Sequence, residues 1–218
     1  MNGKGLKSRS FLVALLGLSA CETTEQRTQN TGALTPEHFN STAIVVDDDS
    51  GDTALISTKS GFQQKQGLLR MVYDDNFLRA IIDKKTGNIT YQLYQSIYYQ
   101  ASDWRFYRKA NYETPDGQES VDAKFLRPPL AHNFDCPDHA SSVCAYNENV
   151  GFSVDRELLD RIASTYEPDK SVKWRFSFIP RVGNEFNDGL FVAEIVGFLQ
   201  AVDSVSYTHL TLPTNREV

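Results

Sequence analysis

The chain has 218 residues, of which 22 are basic and 28 acidic, with 40% hydrophobic content including 10 tyrosines and 13 phenylalanines. That supply of apolar and aromatic side chains is enough for a folded core and excludes a disordered polar chain. Within residues 21–204 the balance is 18 basic against 27 acidic, a formal charge of −9. So acidic a body is repelled by phosphate backbones and by anionic lipid surfaces, which excludes nucleic acid as a partner.

The first residues divide into three zones. Lys4, Lys7 and Arg9 give a basic start, and residues 11–18 form an apolar run. That run is shorter than the roughly 20 residues needed to span a bilayer. Leu18-Ser19-Ala20-Cys21 then closes the segment with small residues ahead of a cysteine. The arrangement resembles the lipobox of bacterial lipoproteins. The resemblance implies that residues 1–20 are a signal peptide, and that the Cys21 thiol is alkylated by diacylglycerol and becomes the first residue of the mature chain. The expected partner is therefore a membrane, held through the lipid anchor. Each buried methylene contributes roughly 0.8 kcal/mol, and two or more acyl chains anchor stably. Glu22 follows Cys21. In Gram-negative lipoproteins an aspartate there commonly retains the protein at the inner membrane. Its absence places the expected location in the bacterial cell envelope, at the outer membrane facing the periplasm if the host is Gram-negative.

Residues 21–41 are rich in Thr, Gln, Glu and Asn, and read as a flexible tether. A short strand is expected over 42–46, followed by an acidic turn at 47–52. The turn lacks the ligand spacing of a calcium-binding EF-hand loop: Gly51 stands where a ligand belongs. Residues 53–58 and 68–73 form further apolar runs. The strongest local signal is over 76–99. Leu78, Ala80 and Ile82 alternate on one face, Lys84-Lys85-Thr86-Gly87-Asn88 supplies turn chemistry, and Ile89, Tyr91, Leu93, Ile97 and Tyr99 resume the period of two. This predicts a β-hairpin. An aromatic strand is expected over 104–112, turned back by Thr114-Pro115-Asp116-Gly117 into a partner at 121–126. Residues 150–154 read as another strand. Asp155 is placed to cap a helix carrying Leu158, Leu159, Ile162 and Tyr166 on one face. Over 172–179, Trp174, Phe176 and Phe178 alternate with Lys173, Arg175 and Ser177. Residues 190–202 fit a helix through Phe191, Ile195, Phe198, Leu199 and Val202, although their β-branched content also suits a strand. The fold class expected is α+β and β-rich: an antiparallel meander or sandwich with one or two packed helices, forming a single domain over 42–204.

The stretch 205–214, Val-Ser-Tyr-Thr-His-Leu-Thr-Leu-Pro-Thr, resembles one translated frame of the transposase adapter used in DNA library preparation. The resemblance implies that residues 205–218 are an artefactual tail, that the natural domain is truncated near Ser204, and that His209 carries no function.

With Cys21 assigned to the lipid, Cys136 and Cys144 form an even pair in an oxidising compartment, and a disulfide closing their short loop is expected. His132, Cys136, His139 and Cys144 also make up a zinc-type donor set, but their spacing matches no zinc-finger pattern and export favours oxidation. No metal and no cofactor is expected. The triplet Trp-Arg-Phe occurs at 104–106 and at 174–176. On neighbouring strands, Trp104, Arg105, Trp174 and Arg175 would form a candidate ligand platform, with an aromatic core and snorkelling arginines as the plainer arrangement. No nucleophile elbow, phosphate-cradling loop or paired-histidine helix is present, and no catalytic residue is assigned. The functional expectation is a non-enzymatic binding or structural domain of an envelope lipoprotein, with an envelope protein or glycan as partner. The alternative is a surface-anchored hydrolase or glycan-binding enzyme that places two carboxylates beside exposed aromatics.

Overall fold

The computed structural model describes residues 34–47, 51–59, 75–126 and 144–211, with side chains as far as 207. Its order is α1 (Pro36–Ser41), β1 (Ile44–Asp47), β2 (Thr53–Ser57), β3 (Asp75–Asp83), β4 (Ile89–Ala101), β5 (Tyr107–Thr114), β6 (Gly117–Asp122), β7 (Lys124–Phe125), β8 (Cys144–Val154), α2 (Arg156–Ala163), β9 (Lys173–Pro180), β10 (Phe186–Phe191) and α3 (Val192–Thr211). The strands form two antiparallel sheets, ordered β1-β2-β3-β4-β8-β7 and β10-β9-β5-β6. The β-rich α+β class expected from the sequence is the one observed.

The β3–β4 hairpin follows its local chemistry. Gly87 takes φ 74°, and the Asp83 carboxylate accepts the Lys85 and Thr86 backbone N–H groups at 2.9 Å each, which holds its pKa below the usual carboxylate value. Leu78, Ala80, Leu93 and Ile97 are buried on the face the alternation predicts. That face also carries Gln95, fully buried, whose Nε2 donates to the Ser96 carbonyl at 3.0 Å.

The two sheets pack through aromatic rings. Phe152 of β8 stacks on Tyr112 of β5 at 5.2 Å and meets Trp174, Phe176 and Phe178 of β9 in edge-on or tilted contacts. Edge-on and offset ring pairs contribute about 0.5–1.5 kcal/mol each beyond area burial. The other end of the long sheet is covered by α3, with Phe198 edge-on to Tyr91 at 6.2 Å. In α2 the Asp155 side chain accepts the Leu158 N–H at 2.6 Å, as its N-cap position predicts. Arg156 ties α2 to α3 through a two-point bond to Asp203 at 2.6 and 3.0 Å.

Several boundaries differ from expectation. The body begins before residue 42. In α1, capped by Thr35, Phe39 is fully buried against α3. The two helices approach so closely at Gly197 that a Cβ there would lie 2.3 Å from the Pro36 carbonyl oxygen. Burying Phe39 stabilises this contact by roughly 1.5–3 kcal/mol. The aromatic strand starts at Tyr107 rather than 104, and the returning segment is shared between sheets, β6 pairing with β5 and β7 with β8. The strand expected at 150–154 begins six residues earlier, at Cys144. After β10 completes its pairing at Phe191, α3 continues beyond Ser204 to Thr211, with Ser206 Oγ donating to the Val202 carbonyl at 2.8 Å. Among the described residues, no helix is long and apolar enough to cross a membrane. Residues 1–21, the apolar run 68–73, His132, Cys136 and His139 lie outside the described residues.

Candidate functional site

The two Trp-Arg-Phe triplets do not assemble a platform. In β9, Trp174 is 3% exposed; its Nε1–H donates to the Glu113 carbonyl at 2.8 Å and its ring belongs to the core. Trp104 precedes β5 in a non-strand segment and packs on Tyr146 at 4.7 Å. β5 and β9 run antiparallel, with Tyr107 opposite Pro180 and Tyr112 opposite Phe176, so the triplets sit at opposite ends of the pair. Arg105 lays its guanidinium 4.5 Å over the Tyr99 ring and donates to the Tyr107 hydroxyl at 3.2 Å. Of the four residues only Arg175 is exposed.

The reason for this arrangement is Glu148, which the sequence reading did not single out. Its carboxylate is fully buried where the chain passes from β4 to β5. Oε1 accepts the Arg105 and Phe106 backbone N–H groups at 3.2 and 3.0 Å, and Oε2 accepts that of Tyr107 at 3.2 Å. The Tyr99 hydroxyl also donates to Oε1. Phe106 holds φ 53°, a left-handed conformation that turns consecutive N–H groups towards one anion. Burial, followed by the bond to Glu148, raises the Tyr99 pKa well above the ordinary phenol value. The group is fully enclosed and acts as a structural clasp between the sheets.

The outer faces of the two sheets differ in kind. On the six-stranded sheet, a groove of about 410 Å³ contains polar groups already bonded to sheet neighbours. Arg79 Nε donates to Gln92 at 2.8 Å, Ser96 Oγ donates to Asn147 at 2.9 Å, and the Tyr94 hydroxyl donates to Asn149. Phe77 stacks on Tyr94 at 4.4 Å.

The four-stranded sheet carries a polar groove of about 860 Å³. Strand register builds it. Asn187, Ser177, Asn111 and Ser120 stand opposite one another across all four strands. In the next row Gly189 faces Arg175, and Glu113 faces Gln118. Gly189 is close-packed: a Cβ there would lie 3.1 Å from the Trp174 carbonyl oxygen and 3.4 Å from Lys173 Cβ. Asn111, Glu113, Gln118, Arg175, Ser177 and Asn187 make no side-chain hydrogen bond or ion pair within the described part of the molecule. For the exposed groups water is the partner. Ser177 is different: it is 4% exposed and its Oγ is buried without a bond. A buried hydroxyl in that state is destabilising by about 1–3 kcal/mol.

Lys173, Glu185 and Asp188 complete the charged lining, with the Lys173 ammonium 4.4 Å over the Phe191 ring. Among the described residues, the rings nearest the groove, Tyr112 and Phe176, are turned into the core. Among the described residues, no cluster of His, Cys, Asp or Glu is arranged to hold a metal ion. The alternation of 172–179 places Arg175 and Ser177 on one face. Asn111, Gln118 and Asn187 join them only through pairing between distant strands, which no local pattern reveals. Cys144 opens β8 and its thiol is not free, while Cys136 lies outside the described residues.

No family model, curated protein or solved structure matches this chain.

Proposed function

We propose that the protein is a lipid-anchored component of the bacterial cell envelope whose body is a non-enzymatic binding domain. In this reading residues 1–20 are removed, Cys21 is acylated, and Cys136 bridges Cys144. The lipid then holds the body at a membrane, facing the periplasm from the outer membrane if the host is Gram-negative. The observation that carries the binding role is the unbonded polar row in the 860 Å³ groove, Ser177 above all; on the other sheet Arg79, Ser96 and Tyr94 are bonded to sheet neighbours. A groove whose hydrogen-bonding groups await partners is prepared for a ligand.

The test is site-specific photocrosslinking in the native membrane. A photoreactive residue at Asn187 or Glu113 yields adducts of one recurring mass, whereas the same residue at Gln92, on the opposite sheet, does not. Identical or absent adducts from both faces would remove the groove from the account.

A further inference from the structure

Resting on that reading of the groove, we propose that its ligand is an uncharged, polyhydroxylated chain: a neutral glycan. The argument is one of donor and acceptor type. Asn111, Asn187 and Gln118 each present an acceptor oxygen and a donor amide; Ser177 offers a hydroxyl that both donates and accepts; Arg175 only donates; and Glu113 only accepts. A surface that mixes both senses within two adjacent rows fits groups that are themselves donor and acceptor at once, which is the property of sugar hydroxyls.

Competing ligand classes fit less well. A polyanion needs donors and positive charge, yet Glu113 and Glu185 line the groove and the Lys173 ammonium is already engaged with the Phe191 ring. A polycation would meet Arg175 on the groove floor. Extended peptides gain specificity from apolar pockets for alternate side chains. Among the described residues, the rings at the floor are Tyr112 and Phe176, which face inward to Phe152. Strands lie about 4.8 Å apart, so Asn187 and Asn111, two strands removed, are separated by roughly 10 Å. The row therefore spans more than one sugar ring and suits an oligosaccharide. The buried, unbonded Ser177 Oγ lies midway in that row, between the two amides. With no ring among the described groove residues turned outward for stacking, binding rests on hydrogen bonds and is weak, in the range read by ligand-observed NMR.

The experiment uses the mature full-length protein in detergent micelles, with cellohexaose, chitohexaose and maltohexaose as neutral probes and hexagalacturonate as the anionic one. At least one neutral hexasaccharide is expected to bind saturably, with hexagalacturonate weaker. Asn111→Leu and Asn187→Leu each weaken binding about tenfold, the loss of a single hydrogen bond with its partner left unpaired. Arg79→Ala, on the opposite sheet, leaves binding unchanged, and circular dichroism confirms that each variant is folded. Binding of no neutral probe, or binding that ignores both asparagine variants, overturns the glycan assignment. The two readings separate through the photocrosslinking result. Groove-specific adducts to a protein or to an anionic ligand would sink the glycan and keep the binding domain; no groove-specific adduct and no sugar binding would sink both.

Discussion

Replacing Glu148 tests the clasp that joins the two sheets. Its fully buried carboxylate accepts the Arg105, Phe106 and Tyr107 backbone N–H groups and the Tyr99 hydroxyl. In Glu148→Ala, the Arg105 N–H keeps a partner, because the Tyr99 hydroxyl also accepts it at 2.9 Å. The Phe106 and Tyr107 N–H groups lose theirs. Stranding the buried Tyr107 donor costs about 1–3 kcal/mol and the part-buried Phe106 donor less, so the pair costs roughly 2–4 kcal/mol, before any cavity effect. For a body of this size each kcal/mol lowers Tm by about 2–4 °C, which gives a fall on the order of 10 °C. Glu148→Gln keeps the shape and one acceptor oxygen but turns an amide N–H₂ towards N–H donors, and should fall between wild type and alanine. Thermal unfolding followed by near-UV circular dichroism reads the loss, since the clasp bonds Tyr99 and Tyr107. A cost below about 1 kcal/mol for Glu148→Ala would refute the reasoning, because the buried Tyr107 donor alone cannot be stranded so cheaply.

Other consequences follow from the same geometry. Asp155→Ala removes the α2 cap and should cost about 1 kcal/mol in urea unfolding, while Asp155→Asn should cost much less. Gly197→Leu drives a side chain into the Pro36 carbonyl and Phe39; overpacking costs about 1–3 kcal/mol, and amide exchange at Phe39 should accelerate far more than at Phe152. Burial, with the 2.9 Å bond to Glu119 second, pushes the Tyr112 phenol from 10.0 up to about 12. The folded state thus holds this proton more tightly than the unfolded chain. The associated stability is complete below pH 10 and is lost as pH rises towards 12. Ultraviolet titration of phenolate should show a late-ionising tyrosine whose pKa falls in Glu119→Gln.

What the sequence revealed depended on range. The β3–β4 hairpin was legible because Gly87 and the alternating apolar residues lie within a single short segment. The α2 cap was legible for the same reason, with Asp155 and Leu158 three residues apart. Phe39 looked like part of a tether because its burial needs the notch at Gly197, far along the chain. The aromatic strand was placed three residues too early. Nothing local to Trp104-Arg105-Phe106 shows that a distant glutamate gathers its N–H groups and holds Phe106 at φ 53°. The site was half visible: alternation put Arg175 and Ser177 on one face, but their neighbours are set by register. Asn111 and Asn187 flank Ser177 only because β5 and β10 pair on either side of β9.

The most direct test of the account is the state of Cys21 in protein taken from the membrane fraction of its host. Peptide mass spectrometry should find a mature chain beginning at Cys21 and carrying the added mass of diacylglycerol, and Cys21→Ser should leave the membrane fraction. An unmodified Cys21, or a mature chain that retains residues 1–20, would contradict the lipid anchor and with it the envelope setting of the groove.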